Sequence, residues 1–544
     1  MIPANVNPLL MAGNADPLDE YRVIKNSVRF NIPDAAYLTR TPASSGNRKT
    51  WTWSGWLKRS TLGSEQDFWN STNAPGLVRG FFRFNATDKL YLSLDAATAS
   101  LITTAAYRDL AAHMHVHLLV DTTQAVAADR FKLWINGVQV TAGTFNYPAL
   151  NADTEYNIGT QAHTLSGSQP YVAEYFGGYI SEVYFIDGQA LAPTSFGVSH
   201  PKTNQWRPKR YSGTYGTNGF YLDFFDASAA TAAALGADRS GNGNNWTPTN
   251  ISVTAGAGND CLTDTPTNNF CVWNPLSGAG SLSNGALENL ASYFQNRLGT
   301  VAATSGKIYF EGALTQTSGN GPAFGVCNES RNLAVDSAVD SNAWGLHLDY
   351  VGGSVLKTGG GVQTAVFGAP SASPIVGVAV DLDARKVWLR LDGVWVESGD
   401  PATAINPQFS GLTGSLFTAW SKGGDGTTSW ALNSGQRPFA YTPPTGFKAL
   451  CTKNLSQTSA VTVSGSFTGN AAADGPCVHI NGSPETLTIN SNAVTYGTHA
   501  DRLAGGFKLR TASASYNTAG ANTWTATIVS NIKNIFRHQN ARGN

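Results

Sequence analysis

LWINGVQV (Leu133 to Val140) and LRLDGVWV (Leu389 to Val396) follow one plan. Each alternates apolar and polar residues around a central Asn-Gly or Asp-Gly. That is the strongest short-range signal for a β-hairpin closed by a type I′ turn, whose two central residues both need φ > 0. Asn136–Gly137 and Asp392–Gly393 tolerate that conformation. Each hairpin is preceded by an apolar strand ending in Asp: HLLVD (His117 to Asp121) and VGVAVD (Val376 to Asp381). The same local design used twice predicts two β-sandwich domains in one chain.

The rest of the chain fits that expectation. Its 544 residues suffice for roughly three domains. With 36 basic and 36 acidic residues there is no charge excess to attract nucleic acid or an anionic membrane. Charged residues make up 13%, well under the roughly 25% usual for soluble domains. Such a surface meets partners through hydroxyls, amides and aromatic rings. No apolar run reaches the ~20 residues of a membrane span. The N-terminus lacks a basic region and a sustained apolar core, so no signal peptide is expected and synthesis in the cytosol is. Five cysteines are an odd number without CxxC spacing. They read as free, mostly buried thiols, with a Cys261–Cys271 disulfide as the alternative.

Residues 1–20 read as an arm or attachment segment. From Tyr21 to about Phe196 short strands follow closely, including WTWSGWLKR (Trp51 to Arg59), where Trp51 and Trp53 share a face and Gly55 marks a candidate bulge. Residues 197–304 are a Gly/Asn-rich connector able to lend a strand onward. Strands resume over 305–455, and 456–544 form a small C-terminal β domain with a polar tail. Leu287 to Leu298 is the best helical candidate.

At this level the chain resembles known families. Residues 21–196, through WTWSGWLKR, HMHVHLLVDTT, FKLWINGVQVT and GGYISEVYFIDGQALAPTSFG, are similar to a laminin-G-like, concanavalin A-type sandwich. Residues 305–450, through SGKIYFEGAL, VGVAVDLDARKVWLRLDGVWVESG, SLFTAW and NSGQRPF, are similar to a SPRY-type sandwich. GTNGFYLDF and DRSGNGNNWTP resemble a segment joining such domains in bacteriophage tail-fibre proteins. The resemblance implies an all-β chain of two tandem jelly-roll sandwiches plus the small C-terminal domain. It also implies a non-catalytic virion tail-fibre or receptor-binding protein that adheres to the host bacterial surface, its partners a host glycan and other tail proteins. Weak single sites gain from linked copies, so a homo-oligomer, a trimer, is expected. A structural virion component (head fibre, decoration or adaptor) is the alternative, and a polysaccharide depolymerase the third reading.

Candidate sites are few. Trp395 is the candidate ligand-binding residue: hairpin alternation puts Val394 and Val396 on one face, and if these point inward Trp395 faces solvent. The competing reading packs it against a neighbouring domain or subunit. Asp238, Ser240, Asn242 and Asn244 form a Gly-spaced loop of oxygen donors suited to Ca²⁺ or, equally, to a run of Asx-turns. The EF-hand pattern is incomplete, and no metal or other cofactor is expected. His113, His115 and His117 share a strand face, a transition-metal pattern without a completing carboxylate or cysteine nearby. His115 falls where laminin-G-like strands commonly carry a histidine, so a structural role is expected. Glu65-Gln-Asp67-Phe-Trp-Asn70 nearly matches a glycosidase strand of the concanavalin-type sandwich. Asn70 stands at the acid/base position, and an amide cannot protonate a leaving group. That near-match is therefore read as chance. Lys533, Arg537 and Arg542 read as a solvated basic tail.

Overall fold

The computed structural model describes residues 23–528, apart from 74–76, 96–98, 168–173, 201–203, 257, 279, 293–295, 318–320, 334–339, 423–426, 456–460, 474–476, 480–485, 496–497, 504–505 and 512–514. The proposed arm at 1–20 and the basic tail residues lie outside them. The described residues form β-strands and short 3-10 turns. Among them no helix is long and apolar enough to cross a membrane. Contacts divide the chain into two compact units, residues 1–455 and 456–544.

Four large sheets build the first unit. Sheet I has the order Val138–Gln139, Phe131–Ile135, Met114–Asp121, Thr50–Arg59, Gly178–Asp187, Ser27–Phe30, Cys261–Leu262, with Phe220–Leu222 joined to Gly178–Asp187. Sheet II runs Gly143–Asn146, Ser100–Ala106, Lys89–Ser93, Leu77–Phe84, Gln66–Asn73, Ala162–Leu165, Tyr37–Arg40, Thr247–Thr249. The two share one aromatic-rich core, in which Trp69 stacks on Tyr156 at 4.3 Å and on Trp53 at 5.7 Å. Sheet III is Trp273–Gly278, Asn296–Ala303, Leu416–Lys422, Pro322–Cys327, Ala343–Asp349, Ser354–Gly359, Val362–Phe367. Sheet IV is Ser281–Ser283, Glu288–Ser292, Thr427–Asn433, Lys307–Thr317, Ile375–Asp381, Lys386–Leu391, Val394–Trp395, with Phe409–Ser410 and Lys448–Ala449 attached. These two enclose a second core rich in Val and Leu.

Both hairpins are present. Ile135 pairs with Val138 and Leu391 with Val394, leaving two-residue loops. Asn136 and Gly137 have φ of 50° and 75°, Asp392 and Gly393 of 46° and 87°. The strand-ending aspartates do matching work: Asp121 Oδ1 accepts from Thr123 N, and Asp381 Oδ1 from Asp383 N and Ala384 N.

The architecture is all-β and sandwich-like, but the expected tandem jelly rolls are not what the chain builds. Every sheet has an open strand order with two distinct ends, and none closes on itself. The hairpin repeat specifies local pairing, whereas closure depends on strand order over long separations. The 197–304 segment supplies strands to all four sheets: Phe220–Leu222 and Cys261–Leu262 to I, Thr247–Thr249 to II, Trp273–Gly278 and Asn296–Ala303 to III, Ser281–Ser283 and Glu288–Ser292 to IV. Buried ion pairs fasten the first sheet pair to this segment. Arg29 meets Asp260 at 2.7 Å and Lys58 meets Asp264 at 2.8 Å, while Tyr179 donates to the Gly285 carbonyl at 2.8 Å.

Two local expectations are corrected. Leu287 to Leu298 is not helical: Glu288–Ser292 pairs with Thr427–Asn433, and Asn296–Ala303 with Leu416–Lys422. The bulge near Gly55 lies in the facing strand, where the register shifts between Ser181 and Tyr184 and Glu182 takes φ 50°. Gly55 is needed instead because a Cβ there would meet the Trp53 ring at 2.8 Å. The described cysteines Cys261, Cys271, Cys327 and Cys451 are free thiols.

The second unit holds two small sheets. One is Val461–Gly469, Gly520–Ile528, Thr486–Ile489 and Asn492–Ala493; the other is Cys477–His479, Gly506–Leu509 and Ala500–Leu503.

Candidate functional site

Sheet II turns one face to the core and the other outward. In Leu77–Phe84, Phe82 and Phe84 enter the core, so period-2 alternation sends Phe81 and Arg83 outward. In Lys89–Ser93, Leu90 and Leu92 go in and Tyr91 comes out. In Gln66–Asn73 a register shift between Asp67 and Trp69 lets Phe68 and Trp69 both reach the core. Asp67 thereby faces outward opposite Arg83, and Asn70 opposite Phe81.

Arg83 is the centre of this face. Its Nε lies 2.7 Å from Asp67 Oδ1, Nη1 2.7 Å from Glu65 Oε2, and Nη2 2.8 Å from Glu174 Oε2. The guanidinium carbon sits 4.0 Å from the Phe81 ring centroid, and Phe81 meets Tyr91 edge-on at 4.8 Å. Glu174 is delivered by the backbone: its carbonyl accepts Asp67 N at 2.7 Å, with φ of 66°. Asp67 is fully buried, and that burial, against the opposing pull of Arg83, pushes its carboxyl up to about 7. Burial also raises Glu174, assisted by hydrogen-bond contact with the Glu65 carboxyl. Glu65 and Glu174 remain accessible, at 44% and 29%. Asn70 is fully buried; its Nδ2 donates to the Gly167 carbonyl, while its Oδ1 has no partner among the described residues.

Arg390 centres a second cluster on the outer face of sheet IV. Its guanidinium carbon lies 4.8 Å from Tyr309, 5.0 Å from Trp395 and 4.9 Å from Tyr441. Its carboxylate is Glu311, at 3.4 Å. Glu311 also accepts from Tyr309 Oη at 2.7 Å, Ala440 N at 2.8 Å and Tyr441 N at 3.0 Å. Both oxygens of that buried carboxylate accept hydrogen bonds from within the chain.

The sequence candidates fall as follows. Trp395 is half-buried over Arg390. Alternation does not carry through the hairpin: Val394 is 59% exposed and Val396 fully buried, because Val396–Ser398 turns as a 3-10 segment. Asp238 Oδ1 accepts from Tyr221 N and Ser240 N, and Oδ2 from Ser240 Oγ and Asn244 N, all between 2.7 and 2.8 Å. Asn242 and Asn244 turn their amide nitrogens onto the Gly219 carbonyl, and Asn244 Oδ1 accepts from Arg40. These are Asx-turn contacts with a cation already supplied by the chain. His115 and His117 are buried in the strand Met114–Asp121, while His113 lies just before it and is half-buried. His115 Nδ1 accepts from Trp206 Nε1 at 3.0 Å, so its Nε2 carries the proton toward Ser54 Oγ at 2.7 Å. Burial holds its ring neutral. Among the described residues no cluster of His, Cys, Asp or Glu is arranged for a metal ion. Where Glu65, Asp67 and Glu174 converge, Arg83 takes the central place.

Sequence reading noted Glu65, Asp67 and Asn70 only as a near-match to an enzyme strand and set them aside as chance. It missed Phe81, Arg83, Tyr91 and Glu174. GFFRF carried a usable signal, since two inward Phe imply an outward Phe beside Arg. Glu174 lies 91 residues from Arg83 and gave none.

No protein-family model matches the chain, and no curated protein does. Solved structures include the SPRY domain of human HERC1, at 13% identity over 30% of this chain and 99% of that one, TM-score 0.25. The TRIM65 PSpry domain is similar at 12% identity, 30% and 92% coverage and TM-score 0.23. A heptameric SAP-like pentraxin from Limulus polyphemus stands at 12%, 31% and 79%, and 0.25. The chain thus has a weak, partial structural similarity to SPRY-type domains.

Proposed function

We propose that this chain is a non-catalytic adhesion protein of a bacteriophage virion, a tail-fibre or receptor-binding component that holds a bacterial surface glycan on the outer face of sheet II. The observation carrying this reading is the edge-on Phe81–Tyr91 pair beside a guanidinium that bonds two accessible carboxylates. Aromatic faces stack on pyranose rings, while carboxylates and guanidinium meet sugar hydroxyls. In this reading residues 21–196 are laminin-G-like, and the working form is a trimer whose linked copies multiply weak sites.

The carboxylates themselves argue against hydrolysis. Retaining cleavage needs two carboxyls about 5–5.5 Å apart, and inverting cleavage wider still. Glu65 and Glu174 are both tied to the one guanidinium of Arg83, which fills the space between them where a sugar or water would have to sit. The structural-component reading has one observation of its own. Val362–Phe367 is an edge strand of sheet III, and no charged residue stands between Lys357 and Asp381 to keep other strands away.

Light scattering of purified host surface polysaccharide with this protein tests the proposal. A stable rise in mass is expected. Falling polymer mass would mean catalysis, and an unchanged mass at high concentration of both would favour the structural component.

A further inference from the structure

Three carboxylates share one guanidinium on sheet II, and the imbalance has a chemical consequence. Each nitrogen of Arg83 already faces a carboxylate, Nε that of Asp67, Nη1 that of Glu65 and Nη2 that of Glu174. Glu65 and Glu174 flank each other across the two terminal nitrogens of that guanidinium, so with Asp67 three carboxylates share one positive charge. Asp67 is sealed beneath them. A bare metal ion fits poorly, because Arg83 occupies the point where the carboxylates converge. The unfilled acceptors are the outward lone pairs of Glu65 and Glu174.

A second observation points to a ligand donor on the same face. Asn70 Oδ1 is buried and has no partner among the described residues, on the strand position opposite Phe81 and on the same face as Asp67. A buried acceptor left empty costs free energy unless something fills it. The face thus combines surplus negative charge, an unused acceptor and an aromatic pair. A neutral sugar would meet the rings and leave the charge uncompensated.

We propose that the glycan held on sheet II carries a protonated amine, as an amino sugar with its amino group free, and that this ammonium seats between Glu65 and Glu174 while the ring lies against Phe81 and Tyr91. The inference rests on the adhesion reading above and adds the ligand's chemical class. An ammonium provides three donors and one positive charge in a compact group, matching two close carboxylates.

The test uses the full-length protein and two probes with one backbone, a β-1,4-linked glucosamine hexamer and its fully N-acetylated form, titrated calorimetrically at about pH 6, where amines are charged. The free-amine hexamer is expected to bind at least about tenfold tighter. Glu65→Gln with Glu174→Gln should abolish that preference while weak binding of the acetylated form persists. Each single substitution, should the double variant not fold, is expected to reduce the preference part-way. Equal or tighter binding of the acetylated hexamer overturns the amine proposal and leaves glycan adhesion standing. A preference that survives both substitutions also overturns it. Binding of neither hexamer by a protein that still binds host polysaccharide overturns the amine proposal alone. Binding of neither hexamer nor polysaccharide removes the adhesion reading as well.

Discussion

Arg83 and Arg390 are built from similar parts and end in opposite electrostatic states. Both are largely buried on the outer face of a sheet, and both lie against aromatic rings. Arg390 has one carboxylate, Glu311, whose two oxygens already accept from Tyr309 and from the backbone of 440–441. That cluster is closed by the chain's own segment, which also pairs Lys448–Ala449 alongside Ile308 and Tyr309. Arg83 has three carboxylates, two of them reaching solvent. A balanced cluster bonded within the chain holds a fold together. An unbalanced, accessible one has chemistry left over for a ligand. Buried arginine and aromatic rings alone therefore do not mark a site; the surplus does.

The largest expected effect comes from removing each cation. Arg390→Met leaves Glu311 buried without its charge partner, and breaking such a pair costs about 3–5 kcal/mol. Arg83→Met strands Asp67, which escapes by taking up a proton, so its penalty should be smaller at about pH 6 than at about pH 8. Urea denaturation at both pH values checks this. An Arg83→Met penalty that does not change with pH would erase the distinction between the clusters.

A smaller effect isolates Asp67. Its carboxyl is raised from 3.8 to about 7 in the fold. The folded protein therefore holds that proton more tightly than the unfolded chain does. The resulting stabilisation is complete below 3.8 and is lost as pH rises through about 7. The buried histidines act in the opposite sense. Burial lowers His117 and His163 from 6.5 to about 3, so their contribution is present above 6.5 and fades as pH falls toward 3. Comparing Asp67→Asn with the parent protein cancels the histidines. The variant should be more stable than the parent at about pH 8, and the difference should shrink steadily as pH falls toward 3.8. A constant difference across that range would mean Asp67 does not titrate there.

What the sequence disclosed follows the same division between local and distant causes. Asn136–Gly137 and Asp392–Gly393 announced their turns because positive φ is a property of two adjacent residues. Trp51 and Trp53 were recognisable as one face because strand alternation is local. The open sheets were not legible, because short edge strands such as Thr247–Thr249 and Cys261–Leu262 pair with residues more than 200 positions away. Leu287 to Leu298 has apolar spacing that suits a helix, and it is split between two strands of different sheets, so spacing alone did not separate the two. The shared face expected for Val394 and Val396 does not form, because the turn at Val396 breaks the alternation just after Trp395. At sheet II the motif was visible but its meaning was not. Glu65 and Asp67 looked like a failed enzyme until Arg83 and Glu174 were placed beside them.

The most direct test compares the two aromatic surfaces on the same ligand. Surface plasmon resonance with immobilised host polysaccharide would measure Phe81→Ser combined with Tyr91→Ser, and separately Trp395→Ala, each confirmed folded by its thermal transition. The sheet II variant should lose affinity at least about tenfold, while Trp395→Ala stays within about twofold of the parent. Loss on Trp395→Ala with sheet II variants unaffected would contradict the account and move the ligand to the Arg390 cluster.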